Sequence, residues 1–187
     1  MELLEKTISS EILYEGRIVK LRLDRVELPN GHEAVREVVG HPGGAAVLPL
    51  LPDGRVAMVR QYRHPYREAL LEIPAGKLDK VGEDPAEAAL RELREETGYR
   101  CGRLIELGKI YPSPGYLDEV LHLYLAQELS EGEAELDPDE FLNLELVPLG
   151  TLEEMVLRDE LRDAKTVAAL YRTRLYLEAE RGLENGK

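Results

Sequence analysis

Three glutamates stand close together in the segment Asp84–Gly98, which has the composition and periodicity of a helix. At 100° per residue, Glu92, Glu95 and Glu96 cover about 100° of the helix surface, so their carboxylates lie side by side. Carboxylates crowded at the edge of a core repel one another unless a cation compensates them. Oxygen ligands directed at one point suit Mg²⁺ or Mn²⁺, so this spacing predicts metal-dependent chemistry on a phosphate compound. A stripe beside the glutamates predicts the buried helix face: Ala86, Ala89, Leu90, Leu93 and Thr97.

A charged helix exterior is the alternative explanation of the same residues. Arg91 precedes Glu95 by four residues and can neutralise one carboxylate, as ion pairs on solvated helices do. Glu92 and Glu96 would still be directed together at one point. The residues that flank the helix favour the metal site over this alternative.

These flanking residues carry a family resemblance. Gly76 and Glu83 precede the run Arg91–Tyr99, which reads RELREETGY. This arrangement resembles the signature of the Nudix hydrolases. The stretch Lys77–Gly82 is one residue longer than is usual in that family, although the spacing within the helix is unchanged.

The resemblance implies an α/β architecture, the Nudix fold, in which a mixed β-sheet lies between helices. It implies that Glu92 and Glu96 bind catalytic Mg²⁺, that Glu95 is a further ligand, and that the backbone carbonyl of Ala75 joins them. Mn²⁺ or Zn²⁺ are possible substitutes for Mg²⁺. Arg91 then orients the glutamates. The implied reaction is attack of water on a nucleoside diphosphate linked to another group.

A second stretch indicates the substrate. Pro114 lies 16 residues beyond Gly98, in a Ser-Pro-Gly sequence that ends at Gly115 and is followed by Glu119. This resembles the ADP-ribose pyrophosphatase subfamily, in which the glutamate of this loop is the proposed general base and the loop contacts substrate. Two other interpretations stay open: Glu96 is the base, or Glu119 is only the first polar residue of a strand.

Three more side chains are candidates for binding substrate. Arg63 matches the family's arginine at the end of a core strand near the phosphates, and a guanidinium offers paired donors to phosphoryl oxygens. Arg36 resembles the position that contacts the adenine end, although it could equally be a solvated strand residue. Glu72 either orders the substrate or is a loop carboxylate.

The function that follows is Mg²⁺-dependent hydrolysis of ADP-ribose to AMP and ribose 5-phosphate. The enzymatic alternative is another nucleotide sugar, ADP-glucose or GDP-mannose. An alternative of a different class is a catalytically silent nucleotide sensor on the same fold. The four histidines and Cys101 show no metal or nucleophile spacing and are assigned no catalytic role.

The elements that must position these residues divide at Gly43. Residues 1–42 predict an antiparallel three-stranded meander, with strands near 8–14, 17–28 and 33–39. Residues 43–187 predict the hydrolase domain, in which Pro74-Ala75-Gly76 forms a loop. Two helices close the chain, one from a capping box at Thr151 and one from Asp163. The resemblance implies a homodimer, with the N-terminal strands packed on the partner subunit.

Composition narrows the possible partners. The 187 residues carry Lys+Arg 24 against Asp+Glu 37, a net charge of −13, which disfavours nucleic-acid binding. The longest apolar stretch, Gly43 to Leu51, is too short to span a membrane. The single cysteine and the absence of a signal-like start predict a cytoplasmic location. Few Asn and Gln with many Glu and Arg predict a thermophilic source.

Overall fold

A computed structural model describes residues 3–78, 82–136 and 141–185 of the chain. It divides into two compact units. The first comprises Met1–Gly43 together with Tyr111–Val120, and the second comprises Gly44–Ile110 together with Leu121–Lys187. Within the described residues, no helix is both long and apolar enough to cross a bilayer.

The first unit is built on the predicted meander. Strands β1 (Lys6–Glu15), β2 (Lys20–Glu27) and β3 (Glu33–Gly40) pair antiparallel in that order. Segment 111–120 runs along β3, because the Val39 amide donates to the Tyr116 carbonyl at 2.7 Å and the Asp118 amide donates to the Val39 carbonyl at 3.1 Å. The Ser-Pro-Gly stretch is therefore attached to the meander by backbone hydrogen bonds.

The second unit contains two sheets. Their strands are β4 (Gly44–Pro49), β5 (Arg55–Arg63), β6 (Glu68–Glu72), β7 (Ala75–Lys77), β8 (Arg103–Ile110), β9 (Leu121–Gln127) and β10 (Leu142–Pro148). The first sheet has the order β7-β4-β9-β8, and the second has the order β10-β5-β6. Among the named strands, only β4 and β9 pair in parallel, so the first sheet is mixed, as predicted.

Helices pack on both faces of the mixed sheet, which confirms the predicted fold class. Every residue of β4 is buried, as its continuous apolar sequence predicts for a central strand. Ala46 and Leu48 join the apolar cluster of α2 (Leu149–Leu157) and α3 (Ala164–Asn185). Ala45 and Val47, on the other face, join the cluster of α1 (Pro85–Thr97). The alternation of side chains along a strand thus divides the core into two layers.

Two predictions about local structure are wrong. Ala75–Lys77 is a short strand that pairs with β4, although Pro74-Ala75-Gly76 was expected to be a loop. Helix α2 begins after Pro148 without a side-chain cap, so the expected capping box at Thr151 is not used. The Asp163 start of α3 is correct, because its carboxylate accepts from the Thr166 amide at 3.0 Å.

Candidate active site

Helix α1 has well-defined ends. The Asp84 carboxylate accepts from the Ala86 amide at 2.8 Å, and Pro85 occupies the first turn. Gly98 ends the helix with a φ of 77°, and its amide donates to the Arg94 carbonyl at 2.9 Å. The predicted helix is therefore confirmed at both ends, and its rotation about its axis is set by its buried residues.

The burial of α1 differs from the predicted stripe. Glu92 and Glu96 are only 7% and 4% exposed, whereas Leu90, which was expected in the stripe, is 38% exposed. Ala88, not Ala86, lies fully in the core, which shows that the buried face of α1 is rotated toward the glutamates. Two buried carboxylates one turn apart require compensating cations.

Strand β7 brings the backbone of Ala75 and Gly76 to this helix. A Cβ atom at Gly76 would lie 1.9 Å from Oε1 of Glu92, so only glycine allows the carboxylate to rest against the strand. Pairing of Ala75 with Ala46 of the buried β4 holds the strand in place. The structure thus places Glu92 against the strand that contains Ala75, and Glu96 lies one turn further along the same helix. Metal ligation by these residues stays a prediction.

Arg91 forms ion pairs with three carboxylates around it. Its guanidinium lies 2.6 Å from Glu92, 3.0 Å from Glu95 and 3.2 Å from Glu83, measured between nitrogen and oxygen. Burial lowers the pKa of Arg91, but the attraction of Glu92 and the hydrogen bonds to Glu83 and Glu95 outweigh it and raise that pKa above its ordinary value. Arg91 thus contacts three glutamates, and its role in orienting them stays a prediction.

The donor set fits a hard divalent cation. Glu92 and Glu96 are buried carboxylates on one helix face, and the bare backbone at Gly76 leaves room for close approach. Within residues 3–78, 82–136 and 141–185, no three acidic, histidine or cysteine side chains already stand in metal-binding geometry. Two of the proposed ligands, Glu92 and Glu95, are paired with the Arg91 guanidinium in this structure.

Arg63, which is partly exposed, forms an ion pair with the buried Glu72 at the ends of β5 and β6. Arg63 donates through Nε and Nη2 to the two Glu72 oxygens at 2.7 and 2.8 Å, and Lys165 donates to the same carboxylate. The Glu72 hydrogen bond raises the pKa of Arg63, and the charges of Asp163 and Glu96 add to that rise. Arg63 therefore lies in the field of Glu96, within the second unit.

Lys165 was missed by the sequence analysis. It lies in the first turn of α3, and the residues around it match no motif. The one available signal was its position two residues after the Asp163 cap, which fixes the start of the helix.

Glu119 lies in the first unit, just before β9, and is not a strand residue. Its Oε1 atom is 3.4 Å from Nδ1 of His41, a histidine that was assigned no role. The neighbouring Asp118 accepts from the His41 amide at 2.8 Å and from Arg22 at 2.9 Å. The hydrogen bonds from Arg22 and His41 outweigh the opposing effect of burial and keep the pKa of Asp118 below its usual range.

Arg36 faces a cavity of the first unit. The cavity measures about 450 Å³, and Tyr111, Gly115 and Tyr116 line it together with Arg36. Arg36 is paired with Glu5, whose carboxylate accepts from Nε at 3.0 Å. Two tyrosines and a guanidinium are groups on which an aromatic base can stack.

Comparison with known proteins adds the family. The NUDIX domain model matches residues 40–170, and the model of the nucleoside diphosphate sugar hydrolase N-terminal domain matches residues 5–39. The chain is 45% identical to the methanol dehydrogenase activator of Bacillus methanolicus, over 97% of this chain and 96% of that protein. It is 44% identical to the ADP-ribose pyrophosphatase of Bacillus subtilis, over 98% and 97% respectively.

A solved structure agrees with these matches. The crystal structure of an ADP compounds hydrolase superposes with a TM-score of 0.84 and 26% identity, covering 96% of this chain and 98% of that one. The chain belongs to the Nudix family, so the resemblance drawn from the glutamate helix is confirmed.

Proposed function

We propose that this protein hydrolyses the pyrophosphate bond of ADP-ribose to AMP and ribose 5-phosphate, with Mg²⁺ as cofactor. The observation that carries the proposal is the pair of buried carboxylates one turn apart, Glu92 and Glu96, of which Glu92 rests against the Gly76 backbone. The similarity to the ADP-ribose pyrophosphatase of Bacillus subtilis supports this choice of substrate.

Glu92, Glu96, Glu95 and the Ala75 carbonyl would hold the metal. A bound divalent ion neutralises diphosphate charge and lowers the pKa of water. Arg91 keeps Glu92 and Glu95 in a fixed relation to each other, through contacts of 2.6 and 3.0 Å. Because the chain has a net charge of −13, cation binding is what allows it to accept an anionic substrate.

Arg63 is the side chain that is proposed to bind the diphosphate directly. Its pair with Glu72 engages Nε and Nη2, so Nη1 takes no part in that pair and remains for phosphoryl oxygens. In the first unit, Arg36, Gly115 and Tyr116 line the cavity proposed for the adenine end.

Two groups are proposed to accept the proton of the attacking water. Glu119 lies beside His41 in the segment that resembles the substrate loop of the subfamily. Glu96 is the second candidate, since a buried carboxylate can be both ligand and proton acceptor. The proposal therefore includes both Glu119 and Glu96 as proton acceptors.

The decisive experiment compares substrates. We expect kcat/KM for ADP-ribose, measured with Mg²⁺, to exceed the values for ADP-glucose and GDP-mannose. A preference of tenfold or more for GDP-mannose would overturn the substrate assignment. Absence of turnover on all three compounds would favour the nucleotide sensor. Reaction in ¹⁸O-labelled water, with the label traced to AMP or to ribose 5-phosphate, then identifies the phosphorus that is attacked.

We also propose that the meander, residues 1–42, forms a homodimer interface. All ten residues of β1 are exposed in the single chain, and the exposed side chains include Ile8, Ile12 and Tyr14. Apolar side chains gathered on one exposed strand favour association with a partner. Sedimentation of the purified chain tests this, and a monomer at micromolar concentration would refute it.

Two further properties are proposed from composition. A cytoplasmic location follows from the single cysteine, and fractionation of the source cells tests it. A thermophilic source follows from the excess of Glu and Arg over Asn and Gln, and a thermal midpoint near 50 °C, roughly that of mesophile domains, would count against it.

A further inference from the structure

Lys165 contacts a buried carboxylate beside the proposed phosphate ligand. Glu72 is 1% exposed, and its two oxygens accept from Arg63 at 2.7 and 2.8 Å. The Lys165 ammonium donates to one of the same oxygens, and the Lys165 side chain is itself only 12% exposed. One buried carboxylate is therefore shared between two cations, the partly exposed Arg63 and the more buried Lys165.

Lys165 reaches Glu72 because it lies in the first turn of α3, which contacts the end of β6. The Asp163 carboxylate caps the helix and lies 3.0 Å from the Lys165 ammonium. Thr166 accepts from the amide of Ile73 at 2.9 Å, at a sequence separation of 93 residues. Because Ile73 directly follows Glu72, these contacts lock the first turn of α3 onto the end of β6.

The shared carboxylate has an electrostatic consequence. A buried Glu72 paired with Arg63 alone would cancel the charge of the guanidinium, and a phosphate would feel little attraction. Lys165 adds a second positive charge beside Glu72, so a phosphate near Arg63 is attracted more strongly than it would be by the Arg63–Glu72 pair alone. The charge of Asp163 is partly offset at the N-terminal end of α3, where helix dipoles are positive.

The same contacts have a geometric consequence. Lys165 and Arg63 both bind Glu72, so the carboxylate cannot turn without breaking one of these contacts. A fixed carboxylate fixes the plane of the paired guanidinium, because the two parallel hydrogen bonds are directional. The Nη1 group of Arg63 then keeps a defined direction.

We propose that Lys165 is a positioning residue for the diphosphate, which acts through Glu72 to hold Arg63 correctly oriented for phosphoryl oxygens. The proposal rests on the proposed function in one respect, the role of Arg63 as phosphate ligand. Lys165 itself does not contact substrate.

The test compares ligands with and without phosphate. In Lys165→Met, we expect the KM for ADP-ribose and the dissociation constant of AMP to rise about tenfold, with kcat changed less than about threefold. The affinity for adenosine, measured by calorimetry, should stay unchanged because adenosine lacks phosphate. The matched control is Arg174→Met on the same helix, which removes only partly exposed ion pairs with Glu153 and Glu178.

A double-mutant cycle separates positioning from a general structural role. In the Arg63→Met background, Lys165→Met should change AMP affinity less than about twofold, because its effect passes through Arg63. Effects that multiply, an equal loss of adenosine affinity, or an unchanged KM in Lys165→Met would each overturn the inference. If Lys165→Met lacks a cooperative thermal transition, Lys165→Gln, which keeps a donor without the charge, provides the same comparison.

The outcomes also separate this inference from the proposed function. A wild-type protein that binds AMP but does not turn over ADP-ribose would refute the proposed function, and the AMP and adenosine comparison would still test Lys165. An active wild-type protein with a silent Lys165→Met would refute only the role of Lys165.

Discussion

The acidic groups of the two units are held in different ways. In the second unit, Glu72, Glu92 and Glu96 are at most 7% exposed. Arg63 and Lys165 compensate the charge of Glu72, and Arg91 compensates that of Glu92. In the first unit, the Glu119 side chain is 19% exposed and lies in a segment without helix or strand, beside one histidine. The first arrangement suits tight binding of a cation, and the second suits a carboxylate that must exchange protons with water.

The difference also concerns what maintains the geometry. Glu92 is fixed by a helix, by the Gly76 backbone and by Arg91, so its position depends on the core. Glu119 is fixed through its neighbour Asp118, which accepts hydrogen bonds from Arg22 and from the His41 amide. Loss of a buried carboxylate should therefore affect the reaction more than loss of a contact in the segment.

The largest effect is expected from the buried glutamates. Glu92→Gln or Glu96→Gln should lower kcat at least about a hundredfold, because each removes an anionic oxygen aimed at the proposed metal. Steady-state hydrolysis of ADP-ribose at saturating Mg²⁺ measures this. Glu87→Gln, an exposed change on the same helix, is the control. Near-normal rates in both buried variants would leave the metal assignment without support.

A smaller effect is expected at Glu119. Glu119→Gln should lower kcat between about tenfold and a hundredfold, because Glu96 remains as a second proton acceptor. The exposed Glu33→Gln on β3 is the comparison within the same unit. If Glu119→Gln behaves like Glu33→Gln, the proton acceptor does not lie in segment 111–120.

A still smaller effect on kcat is expected from loss of Asp118, whose hydrogen bonds hold segment 111–120. Asp118→Ala removes the acceptor of Arg22 and of the His41 amide, so the segment should loosen and kcat should fall about fivefold, which corresponds to about 1 kcal/mol, the net value of one typical hydrogen bond. Hydrogen exchange at the Val39 amide should accelerate in parallel. Asp53→Asn, at a hairpin of the second unit, should change neither quantity, and unchanged exchange in Asp118→Ala would contradict the account.

The smallest effect is expected in the pH dependence of stability. Burial raises the pKa of Glu72, but Arg63 and Lys165 outweigh this and hold it below the ordinary value. A lowered folded-state pKa gives stability that is present above the unfolded pKa and is lost as pH falls through the folded pKa. The gap in unfolding free energy between wild type and Glu72→Gln should therefore narrow on acidification. Urea unfolding at neutral and acid pH measures it, and a widening gap would reverse the assigned sign.

Sequence patterns predicted the local elements well where one short-range cause dominates. The ends of α1 follow from Asp84, Pro85 and Gly98, whose capping roles need no distant contact. Strand β4 was expected from its apolar run, and the antiparallel meander was expected from alternation and turns. The capping box expected at Thr151 is wrong, because α2 begins a few residues earlier, after Pro148. A local motif alone does not decide between two helix starts that lie so close together.

Features that depend on distant contacts were not predictable from local pattern. Strand β7 exists because β4 offers it a partner, although Pro74-Ala75-Gly76 reads as a turn. The proximity of His41 to Glu119 joins residues far apart in the chain, as does that of Lys165 to Glu72. The extra residue in Lys77–Gly82 involves residues 79–81, which lie outside the described residues.

The sequence alone determined the chemistry of the site, because the spacing of Glu92 and Glu96 with Arg91 is set by the helical repeat. Tertiary structure decided how deeply those carboxylates are buried and which cations face them. It also decided that segment 111–120 runs along β3 and that Lys165 reaches Glu72. The physical reason is that a helical period constrains neighbours along one element, whereas burial and ion pairing depend on residues that only folding brings together.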